Sequence, residues 1–315
     1  MNLLAVRVIV LTPVFEDVAA FQMLLQQLHA VVPDGLYVVA VDDGSVLHPL
    51  ATQAHQQYGV AGAVLTLKRN IGHQRAISVG LRCVAPHIRP GQKLVVMDCD
   101  GEDVPANVQT LLSALGSVTL DVVVARRASR AEGLVFRTFY VLYKLLFRCL
   151  TGRPIAFGNF MAMHDGAARR LACMPELDLH LAATVLASKL RVGHCALDRG
   201  TRYAGQSKMN FVTLTLHGFR ALMVFTEDVL VRVSLACVLV AGMSVLLALI
   251  AIGLKLTGYS SPGWFSVALG VLVLIFLQTG TISLMTLLLT GVSRGKLAVH
   301  PEDHLMLVER TNEAR

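Results

Sequence analysis

Two long apolar runs near the end of the chain constrain its fold more than any other feature. They cover residues 229–254 and 264–290. Each run exceeds the roughly 20 residues that an α-helix needs to cross a hydrocarbon core of about 30 Å. The link between them, residues 255–263 (KLTGYSSPG), is too short to form a domain. The sequence therefore predicts a two-helix transmembrane hairpin over residues 229–296, with a buried helical pair in a soluble core as the alternative.

Basic residues at the outer ends of the hairpin predict its orientation. Arg220 and Arg232 lie at the outer end of the first run, and Arg294 and Lys296 follow the second. Lys and Arg are enriched in cytoplasmic loops, so both chain ends are expected in the cytoplasm. The prediction is a multi-pass protein of the inner (cytoplasmic) membrane whose soluble domain is cytoplasmic, with residues 297–315 as a cytoplasmic tail. Six cysteines without paired spacing agree with reduced thiols.

The charge balance indicates the class of partner. The formal net charge of +7 suits anionic lipid or phosphate groups. Lysines and arginines are scattered among apolar residues, whereas nucleic-acid-binding chains concentrate them on a solvated tract or face. We therefore expect membrane lipid as a partner and no nucleic acid.

The first 130 residues alternate short Val/Ile/Leu runs with longer amphipathic stretches. β-branched residues bounded by polar ones predict strands at residues 7–11, 37–41, 63–67, 94–97 and 122–125. The stretches between them predict helices at residues 18–31, 48–58, 74–86 and 105–115. This order is typical of an α/β fold with a Rossmann-like, mostly parallel sheet.

Acidic turns follow the first, second and fourth predicted strands. Their sequences are TPVFED at residues 12–17, DDGS at 42–45 and DCDGED at 98–103. Ligands of parallel sheets bind at the carboxyl ends of the strands. Carboxylates crowded there suit Mg²⁺ or Mn²⁺ bridging to a diphosphate. A single acidic turn is equally typical of a plain turn, because turns are rich in Asp and Gly.

The blocks VIVLTPVFED, VDDGS, RNIGHQRAISVG, MDCDGEDVP, GNFMAM and RYAGQSKMNF occur in this order from about Val8 onward. Together they resemble family 2 glycosyltransferases of the GT-A fold, in the polyprenyl-phosphate branch that includes dolichol-phosphate mannose synthase and bactoprenol glucosyltransferase. The resemblance implies metal-dependent, inverting transfer of one sugar from a nucleotide-diphosphate sugar to a polyprenyl (undecaprenyl) phosphate. It also implies a GT-A domain over residues 1–205, an interfacial helix at 206–228 and homo-oligomers assembled through the hairpin.

The resemblance also implies roles for individual residues. The nucleotide-sugar set is Pro13, Asp17, Asp42, Asp43, Asn70, Gly72 and Asp98. The catalytic set is Asp98, Asp100 and Asp103, and the metal set is Asp100 and Glu102, where Glu102 stands in place of a family Gln. The acceptor-phosphate set is Arg127, Arg137, Arg202, Ser207 and Lys208.

Two alternatives stay open at this point. The first is a glycosyltransferase that acts on a neutral lipid hydroxyl, such as that of diacylglycerol. The second is a non-catalytic membrane scaffold with a decayed GT-A fold. Ile155 bears on the first, because it stands where better-known family members carry an Asp. A hydroxyl acceptor needs a general base, whereas a phosphate monoester is largely a dianion at neutral pH.

Residues 134–150 and 209–225 mix cations with apolar residues and predict helices lying in the headgroup layer.

Overall fold

A computed structural model of the chain describes residues 3–116, 119–127, 134–154, 157–203, 211–259, 263–294 and 304–314. Within these residues the strands are β1 (Val8–Val14), β2 (Leu36–Asp42), β3 (Ala61–Leu67), β4 (Lys93–Val96), β5 (Val122–Arg127), β6 (Met161–His164), β7 (Val192–Leu197) and β8 (Val308–Ala314). The helices are α1 (Val18–Val31), α2 (Gln53–Gln57), α3 (His73–Val84), α4 (Asn107–Leu115), α5 (Leu134–Thr151), α6 (Asp165–Ala172), α7 (Leu181–Ala187), α8 (Phe211–Met223), α9 (Thr226–Leu256) and α10 (Trp264–Arg294). Short 3₁₀ turns cover Pro175–Asp178 and Leu305–Leu307.

The eight strands found among the described residues form one sheet. Their order is β7-β5-β6-β4-β1-β2-β3-β8. The four neighbours β4, β1, β2 and β3 are parallel, while β6 and β8 run antiparallel to their partners. The predicted α/β fold with a mostly parallel sheet is therefore confirmed. All five predicted strands form within a few residues of their expected bounds.

Both faces of the sheet are buried, which explains the nearly continuous apolar strands. Alternate side chains of β1 point to opposite faces, so Ile9 and Leu11 join one apolar cluster while Val8 and Val10 join the other. α3, α6 and α7 contribute to the first cluster, and α1 and α4 contribute to the second. The chain therefore builds a three-layer αβα domain.

The end of the chain contains a strand that the sequence did not predict. Residues 297–315 were predicted to be a cytoplasmic tail, and within them β8 pairs antiparallel with β3 at the edge of the sheet. Asn312 lies opposite Val64 and Thr311 opposite Leu65 in this ladder. β8 has the polar sequence VERTNEA, and most of its residues are exposed or half-buried. A polar edge strand carries no apolar periodicity, so only backbone pairing with β3 reveals it.

The predicted helix at 48–58 is wrong in its first half. α2 covers only Gln53–Gln57. The backbone N–H groups of residues 46–48 and of Leu50 donate to carboxylates outside the segment. These bonds hold the segment in an irregular loop, because a side-chain acceptor offers the backbone an alternative to the helix.

The chain divides into two compact units, and the boundary falls within α5. The first unit contains Met1–Lys144, Pro154–Val224 and Val299–Arg315, and the second contains Leu145–Arg153 and Phe225–Ala298. In the second unit α9 and α10 pair, and the hydroxyl groups of Ser234 and Thr286 hydrogen-bond at 2.5 Å. Thr226–Leu256 and Trp264–Thr286 have mean hydropathies of 2.8 and 2.2 and are long enough to cross a membrane.

Gly80 lets α3 approach the sheet closely, which yields a stability prediction. A Cβ at Gly80 would lie 2.6 Å from Leu11 Cδ1 and 2.6 Å from Val41 Cγ2. Both side chains are fully buried and cannot swing away. Gly80→Ala should therefore destabilise the domain by about 1–3 kcal/mol and lower its thermal unfolding midpoint. The matched control is Gly166→Ala in α6, where a Cβ meets nothing within 4 Å, and it should leave the midpoint unchanged or slightly higher. An equal fall in both variants would contradict close packing at Gly80.

Candidate active site

Four loops meet at one edge of the sheet because β1 to β4 are parallel. Residues 15–17 follow β1, residues 43–52 follow β2, residues 68–72 follow β3 and residues 97–106 follow β4. Three of these loops contain the acidic turns noted in the sequence. The carboxyl edge of the sheet therefore concentrates the carboxylates, as the βαβ pattern predicts.

Glu16 organises the loop after β2. Its carboxylate accepts the N–H groups of Val46 at 2.6 Å, Leu47 at 2.9 Å and His48 at 2.7 Å. The N–H of Glu16 donates to Ser45 Oγ at 2.9 Å. These hydrogen bonds, that of Leu47 foremost, lower the pKa of Glu16. Glu16 therefore stays ionised and clamps the first two loops together.

Asp42 and Asp43 hold the neighbouring loops from inside. Asp42 is fully buried and accepts the N–H groups of Ser45 at 3.0 Å and Leu50 at 2.9 Å. Asp43 is 3% exposed and accepts the N–H groups of residues 71–72 at 2.8 and 3.0 Å. Burial raises the pKa of Asp43 against the effect of these bonds. Both carboxylates thus fix the backbone that lines the edge of the sheet.

The loop after β4 forms an acidic cluster paired with two arginines. Arg202 Nη2 lies 2.9 Å from an Asp100 carboxylate oxygen, and Arg202 Nε donates to Glu102 at 2.9 Å. Arg199 forms an ion pair with the second oxygen of Glu102. Burial and the nearby charge of Asp98 raise the pKa of Asp100, while Arg202 and Arg199 act against this rise. The arginines therefore balance part of the negative charge at this edge.

Backbone pairing explains why the arginines reach the cluster. The N–H of Gly200 donates to the carbonyl of Glu102, and the N–H of Tyr203 donates to that of Asp100, both at 2.9 Å. A Cβ at Gly200 would lie 2.3 Å from the Gly101 carbonyl oxygen. Gly101 itself has φ +89° and faces the Tyr203 ring. The two glycines thus allow the loops after β4 and β7 to touch.

Histidine and amide side chains border the cluster on the α3 side. His73 Nε2 lies 3.1 Å from Asp98 Oδ1 and 3.1 Å from Asn159 Nδ2. Gln74 Nε2 donates to Asn159 Oδ1 at 3.0 Å, and Gln74 Oε1 accepts the N–H of Leu181 at 2.8 Å. Partial burial opposes a charge on His73, but the Asp98 carboxylate outweighs it and raises the pKa of His73. A polar chain therefore leads from Asp98 to the start of α7.

The donor set decides which metal arrangement fits. Among the described residues, no three His, Cys, Asp or Glu side chains are arranged to hold a metal ion by themselves. Asp98 and Asp100 are partly exposed, at 33% and 21%. Mg²⁺ is commonly bound by one or two carboxylates together with substrate phosphates and water. Asp98 and Asp100 fit that arrangement. One oxygen of Asp100 pairs with Arg202 and the other accepts the N–H of Glu102, whereas both oxygens of Glu102 pair with arginines.

The predicted site residues not yet discussed fall into three groups. Pro13, Asn70, Gly72 and Asp98 lie at the ends of β1, β3 and β4, at the same edge as the acidic loops. Asp17 caps α1 by accepting the N–H of Ala20, and Asp103 accepts the N–H of Asp98, so both carboxylates have structural partners. The remaining positions lack a described side chain: Arg127 ends β5 and Arg137 lies in α5, while Ile155, Ser207 and Lys208 lie outside the described residues. The roles of all these residues remain predictions.

Sequence reasoning missed several residues that the structure brings to this edge. The sequence prediction named Asp17 and not Glu16. Glu16 has a positive φ of 51°, and the two neighbouring side chains have different partners. His73 and Asn159 lie in blocks that were noted, RNIGHQRAISVG and GNFMAM, without being assigned a role. Arg199 stands three residues before Arg202, and this basic spacing after a strand was a usable signal.

Sequence comparison finds one distant relative and no family model that matches the chain. The relative is a dodecaprenyl-phosphate galacturonate synthase of Rhizobium johnstonii, 25% identical over 206 residues. The match covers 62% of this chain and 60% of the relative's length. The chain thus aligns with about three fifths of the relative.

Comparison with solved structures identifies the fold. Glucosyl-3-phosphoglycerate synthase from Mycobacterium tuberculosis, crystallised with Mn²⁺, uridine diphosphate and glucosyl-3-phosphoglycerate, superposes with a TM-score of 0.50 at 13% identity. The match covers 71% of this chain and 80% of that chain. The same enzyme with Mn²⁺, uridine-diphosphate-glucose and phosphoglyceric acid also scores 0.50, at 14% identity. These likenesses confirm the GT-A fold expected from the sequence blocks.

Substitution of Asp100 and substitution of Glu102 should have different effects on metal binding. Asp100→Asn removes a partly exposed charge beside Asp98, so Mn²⁺ binding in the presence of a nucleoside diphosphate should weaken at least tenfold. Glu102→Gln removes a charge already balanced by Arg199 and Arg202, so Mn²⁺ binding should change by less than about threefold. Electron paramagnetic resonance of free Mn²⁺ measures both. An equal loss of Mn²⁺ binding in the two variants would indicate that Glu102 also binds the metal.

Proposed function

We propose that this protein transfers one sugar from a nucleotide-diphosphate sugar to a polyprenyl phosphate at a membrane surface. The observation that carries the proposal is the acidic cluster of Asp98 and Asp100 with Arg199 and Arg202, at the carboxyl edge of a GT-A sheet. Such a cluster combines oxygen ligands for a cation with donors for phosphate oxygens.

The donor side of the proposal rests on charge. A nucleotide diphosphate brings negative charge to an edge that already holds several carboxylates, so it requires cations. Asp98 and Asp100 would hold Mg²⁺ or Mn²⁺, and the structural neighbour crystallised with Mn²⁺ and uridine diphosphate supports this. When bound, such an ion neutralises charge that develops on the leaving diphosphate. Arg199 and Arg202 are placed to exchange carboxylate partners for phosphate oxygens as the donor enters.

The acceptor side rests on the relative and on the apolar helices. The name of the Rhizobium relative specifies a dodecaprenyl phosphate, and the two helices of membrane-spanning length suit an enzyme that acts on such a lipid. In the first unit α8 exposes Leu216, Phe219 and Met223 at more than half of their surface. Arg220 lies among them, as expected for a helix in the headgroup layer.

A phosphate acceptor also agrees with the acidic side chains of the site, because it needs no general base. The second pKa of a phosphate monoester is near 6, so at neutral pH it is largely a dianion that attacks without losing a proton. Asp103, the nearest acidic candidate for a base, accepts the N–H of Asp98. The side chains then act by positioning the two substrates and by stabilising charge. Direct attack on the anomeric carbon displaces the nucleoside diphosphate and inverts the configuration.

The path of the chain supports a cytoplasmic catalytic domain. The sheet contains β1 to β7 from before the hairpin and β8 from after it. A chain that leaves a domain, crosses a membrane and returns to the same sheet must cross an even number of times. With two crossings, the link at 255–263 would lie on the opposite side of the membrane, and the flanking basic residues favour a cytoplasmic domain.

The acceptor panel is the decisive experiment. Purified protein is incubated with nucleotide sugars, Mn²⁺ and either undecaprenyl phosphate, undecaprenol or diacylglycerol, and the lipid fraction is read by mass spectrometry. We expect a glycosylated product only with undecaprenyl phosphate, and none with Asp100→Asn. Glycosylation of a neutral lipid without any phosphate product would favour the hydroxyl-acceptor enzyme. Absence of transfer and of donor hydrolysis with every sugar would favour the non-catalytic scaffold.

Site-directed labelling tests the topology. Ser260→Cys lies in the link and Ala298→Cys follows α10, each in a background with the six native cysteines replaced. A membrane-impermeant maleimide applied to intact cells should label the cysteine at position 260, and it should label the one at position 298 only after lysis. The reverse pattern would place the catalytic domain outside the cytoplasm.

A further inference from the structure

Two histidines pair beside the site without any role in the scheme above. His180 Nε2 and His217 Nε2 lie 3.0 Å apart, and the ring centroids are 4.3 Å apart. His180 is 4% exposed, and His217, on α8, is half-buried. Two nitrogens at this distance repel unless one of them carries a hydrogen and donates it. The pair is therefore a directed hydrogen bond.

The capping of α7 determines the direction of that bond. His180 is the N-cap residue of α7, and its Nδ1 accepts the N–H of Ala183 at 3.3 Å. Nδ1 of His180 then carries no hydrogen, so its single ring hydrogen is on Nε2. His180 donates that hydrogen to Nε2 of His217, and the ring hydrogen of His217 is consequently on Nδ1. Burial lowers the pKa of His180 to about 3 and that of His217 to about 4, in agreement with two neutral rings.

His217 is close to the acidic cluster and has an unused donor. Among the contacts of the described residues, none is an acceptor for the Nδ1–H of His217. The charges of His73 and Asp98 both act on His217, so the ring lies within electrostatic range of the site. The residue after His180, Leu181, ends the polar chain that begins at Asp98. The tautomer therefore fixes an N–H donor on a ring that lies within electrostatic range of the candidate site.

We propose that His217 binds the phosphate of the lipid acceptor through Nδ1–H, and that His180 is the positioning residue that fixes this tautomer. The proposal rests on the function proposed above and adds a residue to its acceptor site. The acceptor is favoured over the donor because α8 also exposes Leu216, Phe219 and Met223, a surface suited to a polyprenyl chain. α8 follows the segment that contains Ser207 and Lys208, the predicted phosphate-binding residues.

A neutral histidine suits this task for a chemical reason. An imidazolium with an ordinary pKa of about 6.5 matches the second pKa of a phosphate monoester, near 6, and could pass its proton to the nucleophile. A protonated phosphate is a weaker nucleophile. A ring held neutral by burial keeps its N–H and orients the phosphate while leaving it a dianion.

The test uses the full-length protein in detergent with undecaprenyl phosphate. His217→Ala removes the donor and should raise the KM for the acceptor roughly tenfold, because a hydrogen bond to a charged group is lost. The KM for the nucleotide sugar should stay unchanged. His217→Asn keeps an N–H near the position of Nδ1 and should recover most of the loss. His180→Asn keeps a side chain that caps α7 but is too short to reach His217, so it should raise the acceptor KM with little change in the unfolding midpoint.

Each result decides between named alternatives. The control His87→Ala, three residues beyond the C-terminal end of α3 where the His87 ring contacts the Cys83 carbonyl, should behave as wild type. A higher KM for the nucleotide sugar with an unchanged acceptor KM would assign the histidine to the donor phosphate and overturn the proposal. Unchanged kinetics in His217→Ala and His180→Asn would overturn it as well, as would failure of His217→Asn to recover activity while remaining folded. If the wild type transfers no sugar to undecaprenyl phosphate, the proposed function fails first.

Discussion

The crowding of carboxylates at one edge of a parallel sheet is the constraint on which the rest of this structure depends. Buried or half-buried carboxylates are costly unless backbone N–H groups or cations satisfy them. Glu16, Asp42 and Asp43 are satisfied by backbone N–H groups, and those bonds shape the loops after β1, β2 and β3. Glu102 pairs with two arginines, and Asp100 pairs with Arg202 besides accepting the N–H of Glu102. The hydrogen bonds to backbone N–H groups fix the loops that border the site. The ion pairs with arginines can instead be replaced when a charged ligand binds.

A second constraint comes from the order of elements along the chain. The last strand, β8, completes the sheet begun by β1, although two helices of membrane-spanning length intervene. An edge strand added from beyond the hairpin covers the backbone groups of β3 that would otherwise stay unpaired. The soluble domain thus depends on residues that follow the hairpin, and a linear division into domain, anchor and tail does not describe it.

The fold was largely predictable, while the contacts within the site were predictable only in part. Strand periodicity and acidic turns were sufficient to place Asp98 and Asp100 at the carboxyl edge, because parallel strands bring their ends together whatever the details of packing. The pairing of Arg199 and Arg202 with Glu102 could not be read from the chain, since it depends on Gly101 and Gly200 letting two distant loops touch. The same limit explains why the ion pairs of Glu102 and the pairing of β8 with β3 were not predicted.

By itself the sequence determined the α/β class, the two apolar helices and the edge of the sheet where the carboxylates gather. These follow from periodicity, run length and chain order, which are local properties. Only the tertiary structure decided which carboxylates hold loops, which arginines balance charge and which histidine nitrogen carries its hydrogen. Those properties depend on donors and acceptors that lie far apart in sequence, as with His180 and His217. The sequence pattern does not show which of two such groups donates the hydrogen bond.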